Sequence, residues 1–432
     1  MSDTWQSFPL SDYLSQAFAG DWGSNPDPMN CVVYRSTDID DVGNITGNGA
    51  ERRLPIVKIL RKQLVEGDIL LEASGGGPDK PVGRSAIVDG IRASSPSTCS
   101  NFFRVLRPNK QKIDPKFLNH KLVWRYRQPE MLFFQQQTTG IINLKIKDFL
   151  AAPLSVPEDK EVQSKIAEVL DTLDAAIRGT EAVVAKLKAM KQGLLHDLLT
   201  RGIGANGVLR PTQPEAPHLY KRTSLGWVPK DWEETDVFCV STTVTSGSRD
   251  WARYYSEDGA VFVRIGNLTR EHVNLRLASL IYVRPPSNAD GQRTSLEEGD
   301  VLVSITADLG IVGVIPADFG EAYINQHVAL VRPNKKLINP RFLSHFLAAP
   351  LSQNHLSKLN DAGAKAGLNL PTIRGLPVLM PHTSEQDQIA ERLDQIDGQI
   401  GNTQVEVSKL KSMRSGLMDD LLTGRATVTA LL

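Results

Sequence analysis

The groups that most often carry catalysis are present in this 432-residue chain only as fragments. Its eight histidines are scattered, with no two at metal-ligand spacing. Cys31, Cys99 and Cys239 form no Cys-x-x-Cys pair and leave an odd count. That supports neither a disulfide framework nor a zinc knuckle, and it fits a reducing cytoplasm. Glu158-Asp-Lys160 has the Glu-x-Lys spacing of a nuclease metal site. It falls where a helix should begin, however, and acidic side chains are favoured there by the helix dipole. Gly75-Gly-Gly77 lacks the spacing of a dinucleotide-binding loop and reads as a flexible turn. No P-loop, zinc-protease helix or nucleophile elbow occurs, nor an Asn/Asp-Pro-Pro-Tyr/Phe segment to hold a flipped adenine. The expectation is a chain that binds and does not catalyse, with no metal and no cofactor of its own.

Binding requires elements that position side chains, and the largest organising feature is a repeat. Ile166-Ala-Glu-Val-Leu-Asp-Thr-Leu-Asp174 matches Ile389-Ala-Glu-Arg-Leu-Asp-Gln-Ile-Asp397. Lys186-Leu-Lys-Ala-Met-Lys-Gln-Gly-Leu-Leu-His-Asp-Leu-Leu-Thr200 matches the segment from Lys409 to Thr423. Upstream, the Arg-Pro-Asn-Lys runs at 107–110 and 332–335 correspond, as do Glu66-Gly-Asp68 and Glu298-Gly-Asp300. The order is therefore variable, similar, variable, similar. In the similar segments, Ile166, Val169, Leu173, Ile177, Thr180, Val184, Leu187, Met190 and Leu194 step by three and four, as do Ile389, Leu393, Ile396, Ile400, Thr403, Val407, Leu410, Met413 and Leu417. That alternation is a coiled-coil seam. Each helix of ~38 residues would be roughly 57 Å long, and two helices with one seam can pair antiparallel. Gly193 and Gly416, at equivalent positions inside them, suggest close backbone approach or a bend.

The variable segments carry short β-branched or aromatic runs bounded by Gly, Pro, Asn and Asp, such as Val32–Arg35, Asp68–Leu71, Val261–Ile265 and Val301–Val303. Asp114-Pro and Asn339-Pro open helices, with the first residue as cap and Pro in the first turn. The expected fold class is α/β (α+β): two mixed α/β modules joined and separated by two long antiparallel coiled-coil helices, with a pseudo-twofold internal repeat. The divisions are a module at 1–157, a helix at 158–203, a second module at 204–381 with a linker at 204–224, and a second helix at 382–432.

Charge narrows the partners. Lys plus Arg and Asp plus Glu both number 49, so the chain cannot coat nucleic acid or an anionic membrane by bulk charge. By segment the modules are mildly positive, at +3 and +1, and the helices negative, at −1 and −3. No stretch approaches ~18 uninterrupted apolar residues and the start lacks a basic, then apolar, leader, so no membrane span is expected.

Two diverged modules separated and closed by repeated helices, with Lys-x-Met-Lys/Arg-x-Gly-Leu-x-x-Asp-Leu-Leu-Thr at 188–200 and 411–423, resemble the specificity subunit of type I restriction-modification systems. The resemblance spans essentially the whole chain. It implies that the modules are target recognition domains, each reading one half of a bipartite asymmetric site in double-stranded DNA. It also implies helices that pair as a ruler and dock two methyltransferase (modification) subunits, with restriction/translocase subunits in the full complex. S-adenosylmethionine, ATP and Mg would then belong to those partners, and the missing methyltransferase motifs are expected. Two alternatives come from other classes: a stand-alone DNA-binding regulator, which neutral charge disfavours, and a structural coiled-coil interaction protein.

Candidate DNA-reading side chains are basic and amide groups in module loops, since Arg suits guanine and Asn or Gln suits adenine in the major groove. In the first module these are Arg35, Arg52, Arg53, Lys80, Arg84 and the run Gln135, Gln136, Gln137 and Thr138. In the second they are Arg249, Arg253, Tyr254, Arg264, Arg270 and Arg293, with Lys358, Asn360 and Lys365 along the loop that ends at Asn369. Arg35 and Arg264 occupy matching places beside a strand, whereas Lys110 and Lys335 in the Arg-Pro-Asn-Lys turn read as turn architecture.

Overall fold

The computed structural model describes residues 4–76, 80–138, 140–247, 249–285, 289–361 and 368–431. They form two compact units, Met1–Glu181 with Val405–Leu432, and Ala182–Gln404. The long helices run Lys160–Thr200 (41 residues) and Thr383–Leu421 (39 residues), and each unit takes a part of both.

In the first unit, Leu14–Ala19, Phe103–Pro108, Ile69–Glu72 and Ser85–Ile87 make a four-stranded antiparallel sheet in that order. Ile69–Glu72 is buried at all four positions, as a strand covered on both faces must be. A second sheet has the order Ala50–Arg52, Cys31–Tyr34, Ser97–Cys99, the last two running parallel. A hairpin, Gln135–Thr138 with Ile141–Leu144, is extended by Ser74–Gly76. Trp5–Pro9 pairs with Pro153–Pro157 and leads into the long helix. The core joins Ile69, Phe117 and Phe149 to Val162, Ile166 and Leu170 of the first helix and to Met418, Leu421 and Leu422 at the end of the second.

The second unit repeats this plan. Ser241–Ser246, Val328–Pro333, Val301–Ser304 and Val312–Val314 form the antiparallel sheet. Ala260–Val263 runs parallel to Ala322–Ile324, and Glu233–Asp236 pairs with Pro377–Met380. Residues 204–224, read from the sequence as a linker, are tied down. Tyr220–Thr223 pairs with Gly226–Pro229. Arg210 ion-pairs through both terminal nitrogens with Glu385, which also accepts from the Trp232 indole at 3.2 Å.

The repeated motifs are single structural devices. Asp68 of Glu-Gly-Asp is fully buried and takes two hydrogen bonds, 2.7 and 2.8 Å, from Arg107 of Arg-Pro-Asn-Lys. Asp300 and Arg332 do the same at 2.8 and 2.9 Å. Lys110 donates to the Glu66 carbonyl at 3.0 Å, which agrees with turn architecture. Asp114 caps Pro115–Tyr126 by accepting from the Phe117 amide, and Asn339 caps Pro340–Ala348. Each capped helix is pinned to a long one. His120 and Lys116 both bond Asp171 at 2.8 Å, and His345 bonds Asp394 at 2.7 Å beside Arg341.

Within each unit the long helices lie antiparallel. Ile166, Ile177, Ile389, Ile396 and Ile400 are buried as the seam requires, while Leu173, Val184, Leu187, Leu194, Val407, Leu410 and Leu417 are only half-buried. Met190 and Met413 depart from the seam: each is 53% exposed, and the next residue turns inward instead. Lys191 pairs with Asp397 at 2.5 Å, and Arg414 with Asp174, whose second bond is 3.0 Å. A Cβ on Gly193 or Gly416 would meet open space, so close backbone approach is not the reason for either glycine.

Candidate nucleic-acid interface

In each unit a parallel strand pair ends where two loops leave it, and in the first unit that end opens on a cavity. In the first, Tyr34 and Cys99 are the last partners, and the Ser100 amide then bonds the Tyr34 carbonyl at 2.8 Å. The loops beyond carry Arg35, Ser36 and Thr37 on one side and Ser100, Asn101 and Phe102 on the other. With Trp22 they line a cavity of about 430 Å³. Arg35 is fixed there by two bonds to buried Asp38, 2.9 and 3.0 Å. Burial opposes ionisation of Asp38, but the Arg35 guanidinium and the backbone amides of Arg35 and Gly49 hold its carboxyl below the usual range. A second cavity of about 370 Å³ shares Ser36 and Thr37 and reaches Lys80, which is exposed.

Several sequence candidates are engaged inside the protein. Arg84 is 8% exposed and gives two bonds to buried Glu72, 2.9 and 3.1 Å, and others to the Ser36 and Ile39 carbonyls. It holds the 36–39 turn from beneath and is withdrawn as a base contact. Gln135 is withdrawn too: its amide bonds the Val82 amide and carbonyl, both at 3.0 Å. Gln136 and Gln137 stay exposed on the hairpin; Thr138 ends its first strand, and its side chain lies outside the described residues. Arg52 stacks over Trp22, 4.5 Å from the ring centroid, and Arg53 bonds the Asp27 carbonyl at 3.2 Å.

In the second unit Arg249 is exposed, and Arg253 lies 4.9 Å over the half-buried Tyr254 ring. Arg264 is half-buried at the equivalent strand end, its backbone amide bonded to Asn267 at 2.9 Å. Arg270 is half-exposed and pairs with Asp308 at 2.5 Å, and Arg293 bonds the Thr245 hydroxyl at 2.8 Å. Lys358 is exposed on the helix Pro350–Asp361, which also contains Asn360; that side chain and all of Lys365 lie outside the described residues. The sequence reading passed over Trp22, Ser36, Thr37, Asn101 and Phe102. Their signal was positional, since they follow the strands whose repeat partners precede Arg249, Arg264 and His327.

Burial raises the Cys31 thiol to about 11 and the Cys99 thiol further, which leaves both unreactive. Among the described residues no group of three or more His, Cys, Asp or Glu side chains could hold a metal ion. Among them, too, no helix is long and apolar enough to cross a membrane.

Two unlike modules on repeated helices, with basic and amide side chains at strand ends, are the architecture of a recognition protein. The comparisons agree. A family model described as the type I restriction modification DNA specificity domain matches residues 40–189 and again 249–411, and the chain belongs to that family. The type I restriction enzyme EcoBI specificity subunit of Escherichia coli is 24% identical, over 91% of this chain and 90% of that protein. The MjaVIII specificity subunit of Methanocaldococcus jannaschii is also 24% identical, over 87% and 83%. Among solved structures, the type I S subunit from M. genitalium has the same fold, with a TM-score of 0.61 at 14% identity over 97% and 96% of the two chains. A chain from a study of complex assembly and conformational transition of the type I system has a TM-score of 0.54 at 17% identity over 97% of both. By its family this chain is a DNA-specificity subunit and not an enzyme in its own right.

Proposed function

We propose that each unit reads one half of a bipartite, asymmetric site in double-stranded DNA and that the paired helices set the spacing between the halves. The helices also dock two methyltransferase subunits, and restriction/translocase subunits join the full complex. S-adenosylmethionine, Mg and ATP are held by those partners, and the assembly works in the cytoplasm. The observation that carries this reading is the repeat itself: like helices and like sheets support two modules whose exposed side chains differ. Unlike readers on like supports call for unlike half-sites, so the whole site is not a palindrome. Balanced charge supports shared DNA binding, because a solo binder relies on many phosphate contacts of its own.

The test is mapping of N6-methyladenine in the source genome with and without this gene. Loss of one two-part methylated motif on deletion is the expected result. A methylome that is unchanged, in a strain whose modification subunit is shown to be active, would overturn the proposal.

A further inference from the structure

We infer that both modules discriminate bases at one shared place, the mouth beyond the parallel strand pair. Trp22, Ser36, Thr37, Asn101 and Phe102 set the first half-site, and Arg249, Gln326 and His327 set the second. The inference rests on the DNA-reading function proposed above and assigns it to these side chains.

The two strand ends correspond residue by residue in their backbone bonds. Tyr34 pairs with Cys99 as Val263 pairs with Ile324. The Ser100 amide bonds the Tyr34 carbonyl as the Asn325 amide bonds that of Val263. The Gly20 amide bonds the Phe103 carbonyl at 3.3 Å, and the Gly247 amide that of Val328 at 3.4 Å. These two glycines mark the closest approach: a Cβ on Gly20 would run into the Cys99 and Ser100 carbonyls, and one on Gly247 into the Asn325 backbone. Trp22 therefore matches Arg249, Asn101 matches Gln326, and Phe102 matches His327.

Around the mouths the scaffold is kept, as Arg35 with Arg264 and the Asp68–Arg107 pair with Asp300–Arg332 show. At the mouths it changes. Ser36-Thr37 corresponds to Ile265-Gly266 in the repeat, and each of the other three positions differs in size or polarity. Different side chains at equivalent backbone positions of a shared frame are the pattern expected of specificity positions.

The first mouth also holds aromatic side chains that packing leaves partly exposed. Trp22 and Phe102 are 36% and 43% exposed beside the 430 Å³ cavity. Ser100 lines that cavity and its hydroxyl is buried without a hydrogen-bond partner; the Arg264 Nε, just past the equivalent strand of the second unit, is likewise buried and unpartnered. His327 sits between the Thr306 hydroxyl, 2.7 Å from Nδ1, and the Gln326 amide, 3.1 Å from Nε2, so its ring is oriented. The Asn101 amide suits adenine and the apolar wall of Trp22 and Phe102 suits a thymine methyl, whereas exposed Arg249 suits guanine. The first half-site is accordingly rich in A·T, and the second contains a guanine read by Arg249.

The experiment presents a randomised duplex library to the full chain in complex with its modification subunits and sequences the retained DNA. Wild type should return a two-part motif. Asn101→Gln with Phe102→His should alter base preference about tenfold or more in one half alone, and Arg249→Ala should relax a guanine in the other half alone. Gln136→Ala with Gln137→Ala, on the hairpin, should change neither. Variants in both modules that melt like wild type and keep its motif would overturn the inference while leaving the two-part function standing. Movement of the motif by the hairpin variant instead would do the same, and a wild type with no two-part motif would overturn both.

Discussion

Lys121 lies between two indoles, 5.5 Å from the Trp5 ring centroid and 4.8 Å from that of Trp124, and donates to the Leu422 carbonyl. Burial, with a further push from Arg125, lowers its pKa from the ordinary 10.5 to about 8. Between those values the folded chain has released a proton that the unfolded chain still holds. Lys121 therefore makes stability rise with pH from 8 towards 10.5, and below 8 its contribution is constant. Urea unfolding at pH 8 and pH 10 checks this: Lys121→Met should lose the part of the rise that wild type shows, and an equal rise in both would refute it. At this scale residue type was a partial guide. Arg84 and Gln135 were fair candidates by chemistry, yet their partners, Glu72 at a separation of 12 and Val82 at 53, are contacts that only folding creates. Trp22 and Phe102 belong to a residue type that folding usually buries, and only their place at the strand ends shows why they stay partly exposed.

Among the elements, the long helices were the most legible, because apolar steps of three and four survive in both copies. The residues that decide their register were not. An α-helix drifts by ~20° per heptad against a strict seven-residue pattern, so over 41 residues the inward face passes from Met190 to Lys191. The same shift replaces Met413 by Arg414. A hydrophobic pattern assigns charged residues to the surface, whereas here two ion pairs at equivalent repeat positions are buried together. Removing one member strands the other, so Asp397→Ala should cost ~3–5 kcal/mol. Lys191→Met combined with Asp397→Leu should regain most of that loss in chemical denaturation. A single variant as stable as wild type would mean that the pair does not hold the register. The linker at 204–224 misled for a related reason: its Gly and Pro content signals a turn-rich path, but Arg210 anchors it to Glu385, 175 residues on.

For the whole molecule, the repeat foretold two modules on two helices but not how the chain is shared between them. Residues 1–157 do not make a unit alone: His120 and Trp124 reach Asp171 and Asp419 on the long helices. A module exchange ending at Pro157 should succeed when the donor keeps these contacts, and methylation mapping should then show one half-site changed and the other kept. A change in both halves would refute separable reading. The same sharing governs synthesis. Every residue of Ala182–Gln404 has been made before Val405 is added, while the earlier module still lacks Met418, Leu421 and Leu422 from its core. At ~5–20 residues per second, the module translated first is the last to be completed. Until the ribosome delivers Met418, Leu421 and Leu422, Val162, Ile166 and Leu170 stay incompletely covered in the nascent protein, and exposed apolar surface of that kind favours aggregation.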